Sequence, residues 1–160
     1  MGFTMTAAEQ AEMLRQAVVA LQEEYAALEI PAVHDIVTET ILLPMADGAR
    51  LRTVITKPVG DGPFPAILTR NCYPHMDPLM TLRMEAYARR GLAYVHQLCR
   101  GTGGSEGVWE PNVNERADGK ATLDWLQDQD WVENIGISGS SYLALTGWAV
   151  ADLLPPKVKT

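Results

Sequence analysis

The chain has 160 residues, 47% of them hydrophobic and 21% charged, which is the composition of a soluble globular domain and not of a disordered one. Thirteen Lys and Arg against 20 Asp and Glu leave a formal charge of −7. That balance argues against nucleic-acid partners, which need a basic face, and against a surface drawn to anionic lipid. Two cysteines, Cys72 and Cys99, are too few for a disulfide scaffold and spell no zinc site, so a reducing, cytoplasmic setting is expected.

Residues 1–28 carry Glu9, Glu12, Glu23 and Glu24 among their apolar residues, so they lack the unbroken apolar stretch of a signal peptide. No apolar run approaches the roughly 18 residues of a membrane span. Thr6 and Glu9 have the spacing of a capping box. Met13, Leu14, Ala17, Val18, Leu21, Tyr25 and Leu28 then recur at three- and four-residue steps, predicting an amphipathic helix that ends before Pro31. The expected division is an N-terminal helix over 1–30, packed on the body or serving an oligomer contact, and a second segment over 31–160.

From Asp35 the period changes to two. Residues 36–43 and 50–57 alternate on either side of Asp47-Gly48, which predicts a β-hairpin with a loop longer than two residues. Beyond the Gly/Pro-rich loop 60–65, short apolar runs at 66–69, 92–98 and 134–137 alternate with helical stretches at 79–90, 114–129 and 142–153. That alternation reads as an α/β fold with parallel strands and crossover helices. The last strand, Asn134 to Ile137, is expected to leave an open sheet edge, as if the chain were a piece of something larger. Trp109, Trp125, Trp131 and Trp148 are expected mostly in the core.

Gly136 to Ala144 reads GISGSSYLA, crowding small residues at a strand–helix junction. A strained turn of that kind needs small neighbours and lifts a serine hydroxyl clear of the sheet. Ser141 is the candidate nucleophile, with the Tyr142 N–H as an oxyanion donor. The strict G-x-S-x-G pattern is absent: Ser141 has Gly139 at −2 but Leu143 at +2, and Ser138 also has a glycine at −2. A turn without chemistry fits the same spacing. RGTGGSEG at 100–107 must be a loop; its third glycine is one place late for dinucleotide binding, and Glu106 repels pyrophosphate. Tyr73 follows the first parallel strand, whose carboxyl end is where ligands bind in such sheets. His34, His75 and His96 all precede Ser141. The 19 residues after it contain Asp152 but no histidine, so no Ser-Asp-His order is complete within them.

Four segments together resemble the CocE/NonD serine hydrolases, the cocaine-esterase, X-prolyl dipeptidyl-peptidase and α-amino-acid ester hydrolase group. They are DGARL (47–51), GPFPAILTRNCY (62–73), RGTGGSEGVWEP (100–111) and GSSYLALTGW (139–148), in matching order and spacing. Asn114-Glu115, Asp118-Gly119 and Trp125-Leu126 also fit, and the likeness runs from about Asp35 to the C-terminus. The resemblance implies the N-terminal part of an α/β-hydrolase fold and hydrolysis of esters or amides through an acyl-enzyme, with no cofactor or metal. The family's G-x-S-Y-x-G is matched by Gly139, Ser141 and Tyr142, with Ala144 in place of the last glycine. Its oxyanion tyrosine is matched by Tyr73, although Asn71-Cys72 stands where a residue and proline usually precede it. Leu98 replaces an aspartate two places before Arg100.

Family members run to several hundred residues, with a helical cap and a C-terminal jelly roll, and the resemblance puts the catalytic acid and histidine in that further part. The expected partners are a small ester, amide or short peptide substrate, and either a second polypeptide or another copy of the chain that completes the site. The alternative is a catalytically inert fragment or interaction subunit derived from such a hydrolase.

Overall fold

The computed structural model describes residues 5–159; residues 1–4 and 160, which belong to the two expected segments, lie outside the described residues. Thr6 opens the first helix, α1 (Ala7–Ala26). The Glu9 N–H donates to the Thr6 hydroxyl at 3.2 Å, and the Thr6 N–H donates to the Glu9 carboxylate at 2.7 Å. Two N–H groups that a helix start leaves without partners are satisfied reciprocally.

Five strands form one sheet: β1 (Ile36–Pro44), β2 (Arg50–Pro58), β3 (Phe64–Asn71), β4 (Ala93–Leu98) and β5 (Val132–Ile137). Their spatial order is β1-β2-β4-β3-β5. β1 pairs β2 and β2 pairs β4 antiparallel, while β3 pairs both β4 and β5 parallel. The crossovers carry α2 (Asp77–Ala88) and α3 (Glu115–Gln127), and α4 (Tyr142–Trp148) follows β5. β4 is buried along its whole length, as a strand between neighbours and under helices on both faces must be. Leu68, Val95, Leu123, Leu126, Ile135 and Val150 belong to the main core. The parallel strands all end on one side, so the segments after Asn71, Leu98 and Ile137 gather there.

α1 packs on α2 through a narrower stripe than its spacing predicts. Leu14, Ala17, Val18 and Leu21 are half-buried and Tyr25 is buried, its ring edge-on to Tyr87 at 6.1 Å. Met13 is 54% exposed, and Leu28 lies beyond the helix end. A single covering helix shields only one side of the predicted face. Arg90 ties the helix end down by donating to the Tyr25 carbonyl at 2.7 Å and the Ile30 carbonyl at 2.9 Å.

Three expectations need correction. The helix after β5 ends at Trp148, not Leu153, and the chain turns through 149–153. Its tryptophan is 79% exposed, because Leu143, Thr146 and Val150 share the inward face and position 148 falls opposite it. None of the other three tryptophans is fully buried; Trp125 and Trp131 pair edge-to-face at 6.4 Å on the rim of the core. The edge of β5 is also partly covered: the Ile135 N–H donates to the Lys157 carbonyl at 2.8 Å, and the Lys159 N–H donates to the Ile135 carbonyl at 3.0 Å. Pro156 and Lys157 turn the chain, with the Val158 N–H donating to the Pro155 carbonyl at 3.0 Å, and the turn lays Val158 alongside Ile135. No helix among the described residues is long and apolar enough to cross a membrane.

Leu123→Ala should lower the unfolding free energy by about 2–5 kcal/mol in urea titration, since it opens a cavity in the core. Met13→Ala should stay within about 0.5 kcal/mol of the parent. An equal loss at Met13 would mean that the wider face is the buried one.

Candidate active site

The turn that carries Ser141 is held at its entry by β3. The Ser138 N–H donates to the Leu68 carbonyl at 3.0 Å, and the Thr69 hydroxyl donates to the Ser138 carbonyl at 2.9 Å. Tyr94 lies 2.8 Å from the Thr69 oxygen and donates to it, since the Thr69 proton is already engaged. Ser138 is thus the end of the strand, and Ser141 is the apex of the turn. Ser141 has φ 53° and ψ −128°, a left-handed conformation that costs a non-glycine residue about 1–3 kcal/mol. Gly139 makes the turn possible: a Cβ there would lie 2.5 Å from the Leu143 carbonyl carbon. A Cβ on Gly147 would lie 2.9 Å from Ile137 Cγ2, so this glycine lets α4 close on β5. The Ser141 carbonyl accepts from Ala144 and Leu145. The Tyr142 N–H has no acceptor among the described residues and is left available beside the exposed Ser141.

Tyr73 reaches this turn from the end of β3. Desolvation, and then the neighbouring Cys72, pushes its phenol above the usual tyrosine value, while the nearby Ser141 side chain pulls the other way. The phenol is therefore a protonated donor at neutral pH, next to the serine. The structure brings together the three residues singled out from sequence: Ser141 by its side chain, Tyr73 by its hydroxyl and Tyr142 by its N–H.

The Tyr142 hydroxyl points away into a buried polar network. It accepts the Asn112 N–H at 2.9 Å and donates to Glu115 Oε1 at 3.0 Å, and its ring meets Trp109 edge-on at 5.2 Å. Desolvation pushes its pKa up to about 12, with Glu115 adding to the rise and the Asn112 N–H opposing it. Arg70 lies beneath, 3% exposed. Its Nη1 donates to Glu115 Oε2 at 3.0 Å and to the Glu115 carbonyl at 2.9 Å, and its Nε donates to Gln97 Oε1 at 2.8 Å. Arg70 Nη2 has no hydrogen-bond partner among the described residues and lies 3.8 Å from Asp118 Oδ2. Asp118 accepts from Arg100 at 2.7 and 3.1 Å, and Arg100 donates onward to Asp47 at 2.7 and 3.1 Å. In the sequence Glu115 and Asp118 stand out only through the family resemblance, and Arg70 does not stand out at all. The available signal was two acids and Thr122 on the same helix face as Leu126.

The glycine loop 100–107 is structural. Gly101 donates to the Glu106 carbonyl, Ser105 to the Thr102 carbonyl and Glu106 to the Arg50 carbonyl, so these N–H groups are engaged internally. The Glu106 carboxylate accepts from the Arg50 N–H at 2.9 Å and from its guanidinium. Leu98, in place of the family's aspartate, is fully buried and packs under Gly103, where a Cβ would lie 2.8 Å from it. Among the described residues no histidine hydrogen-bonds Ser141, and no cluster of three or more His, Cys, Asp and Glu is placed to hold a metal ion. Asp152 pairs with Arg116 at 2.6 Å, outside the site.

The sequence pattern of the X-Pro dipeptidyl-peptidase (S15) family matches residues 47–160. The chain is 38% identical over 120 residues to a cocaine esterase from Rhodococcus sp. (strain MB1 Bresler), which covers 72% of this chain and 21% of that protein. It thus spans about a fifth of the length of that curated relative. A CocE/NonD family hydrolase from Staphylococcus aureus superposes with a TM-score of 0.65 at 28% identity, over 78% of this chain and 26% of the other. An α-amino acid ester hydrolase superposes with a TM-score of 0.61 at 23% identity, over 84% of this chain and 26% of the other, and shares the fold. The chain belongs to the X-Pro dipeptidyl-peptidase (S15) family, and its sheet is that of the α/β hydrolases.

Removing the Arg70 guanidinium would leave Glu115 and Asp118 buried without their inner cation. Arg70→Met should therefore cost about 3–5 kcal/mol of stability, read by guanidinium unfolding, because a broken buried pair exposes its partner to an uncompensated desolvation penalty. A loss below about 1 kcal/mol would mean that Arg100 alone balances both acids.

Proposed function

We propose that this S15-family chain supplies the nucleophile and both oxyanion donors of a serine hydrolase acting on carboxylic esters or amides, short peptides included. Residues 31–160 form the front part of the catalytic domain in this reading. The carrying observation is Ser141 at the apex of a left-handed strand–helix turn, flanked by a free Tyr142 N–H and the Tyr73 phenol. Ser141 Oγ attacks the substrate carbonyl as its proton passes to a histidine outside these 160 residues. Negative charge builds on the carbonyl oxygen, and the Tyr73 hydroxyl and Tyr142 N–H donate to it. Collapse expels the alcohol or amine, which takes up the proton from the histidine. Water then cleaves the acyl-serine by the same route. The names of the relatives, an esterase and a dipeptidyl-peptidase family, support both ester and peptide substrates.

The absence of a histidine at Ser141 among the described residues favours a second reading, a non-catalytic interaction subunit. Exogenous imidazole separates the two by standing in for the base. With a fluorophosphonate, intact mass should show one adduct on Ser141, formed faster as imidazole is added and absent in Ser141→Ala. Tyr73→Phe should slow that labelling by about 10²–10³. An unlabelled chain at every imidazole concentration would leave the subunit reading, and an adduct that persists in Ser141→Ala would remove Ser141 as the nucleophile.

A further inference from the structure

Asn71 is fully buried at the end of β3, and its carbonyl accepts the Cys99 N–H at 2.8 Å. Its side-chain Oδ1 accepts the Tyr73 N–H at 2.8 Å, closing a turn across Cys72. That contact fixes which way the amide points. Nδ2 then lies 3.3 Å from the Tyr73 carbonyl and 3.3 Å from His96 Nε2. An amide nitrogen only donates, so His96 Nε2 must accept, and the ring is neutral with its proton on Nδ1. Both Nδ2 hydrogens are engaged, one on each partner.

His96 is 2% exposed in the middle of β4, opposite Thr69 of β3 and Val54 of β2. The charged groups that act on it are Asp77 of α2 and Arg52 of β2, which pair with each other at 2.9 Å and pull its pKa in opposite directions. Burial dominates and lowers it to about 4, so the ring is an acceptor at neutral pH. No proline precedes Tyr73, where Cys72 stands. The backbone there has no ring to fix its φ, and a side-chain clamp takes over that task.

We infer that Asn71 and His96 are positioning residues for the Tyr73 hydroxyl: the Asn71 amide brackets both backbone groups of Tyr73, and His96 holds that amide in one orientation. The inference rests on the oxyanion role proposed for Tyr73, and its test has an arm that does not.

In the imidazole-assisted labelling of Ser141, Asn71→Ala and His96→Leu should each slow the reaction by about tenfold, the scale of one lost hydrogen bond. Combined with Tyr73→Phe, neither should slow it beyond Tyr73→Phe alone, because the group they aim is already gone. His96→Gln, whose side-chain oxygen can accept from Asn71, should restore the rate. Fully additive effects would overturn the inference and leave Asn71 and His96 as ordinary core residues.

The second arm is amide hydrogen exchange at Tyr73, which should quicken in Asn71→Ala and His96→Leu but not in His96→Gln. Unchanged exchange overturns the positioning role even if labelling falls. Should Tyr73→Phe label at the parent rate, the oxyanion role fails, and the exchange arm alone decides whether the clamp exists. The unaltered chain gives a check that needs no variant. Its His96 nitrogens should report a neutral ring protonated on Nδ1 down to about pH 5. A ring protonated on Nε2 overturns the inference.

Discussion

Arg70 carries a positive charge into the interior at the carboxyl end of β3, and the surroundings of the site are organised around satisfying it. Glu115 from α3, Gln97 from β4 and, more distantly, Asp118 converge on the guanidinium. Arg100 then takes up Asp118 and passes the chain of charge out to Asp47 at the surface. Two buried acids face two arginines, so the cluster is close to neutral although none of its inner members sees water freely. Such a cluster is weak evidence for stability but strong evidence for geometry, because each member tolerates little movement before a charge loses its partner. Glu115 also holds the Tyr142 hydroxyl, so the rigidity reaches the residue that directly follows Ser141.

The strained serine is the point where this rigidity matters. A left-handed φ at Ser141 survives only if both sides of the turn are fixed. Ser138 is tied to β3 on one side, and Tyr142 to Asn112 and Glu115 on the other. Gly139 and Gly147 admit the close approach of α4 to the turn and to β5. Ala144 sits half-buried on α4, where a family pattern would place glycine, and the helix still closes.

Much of the scaffold was legible in the sequence because periodicity encodes burial. The capping box, the hairpin and the three parallel strands lie where their patterns predict, with ends moved by a few residues. Gly139, Ser141 and Tyr142 advertised their turn because small residues at a strand–helix junction have few other uses. The charge cluster was not legible. Arg70 and Glu115 lie 45 residues apart, and only the sheet order brings them together. His96 was hidden for a related reason: inside the apolar run 92–98 its burial is evident, but its partner Asn71 belongs to the neighbouring strand. Met13 misled because a helical stripe predicts which face is apolar, not how wide a neighbour covers it, and Trp148 because residue type alone does not say which face of a helix a side chain occupies.

The two tyrosines at the site divide their donors in opposite ways. Tyr142 has its hydroxyl engaged by Asn112 and Glu115, while its N–H has no acceptor among the described residues. Tyr73 has its N–H engaged by Asn71, which leaves its hydroxyl for Ser141. In each residue one donor is anchored in the protein and the other is free, so the anchored one fixes the aim of the free one. A donor held in place before charge develops needs no reorganisation when it does, and that is the condition under which a hydrogen bond to an oxyanion is worth most. A phenylalanine at 142 would keep the N–H but lose the contacts that orient it. In the proposed reading the hydroxyl of Tyr142 therefore acts on the site without touching it, through the same carboxylate that balances Arg70.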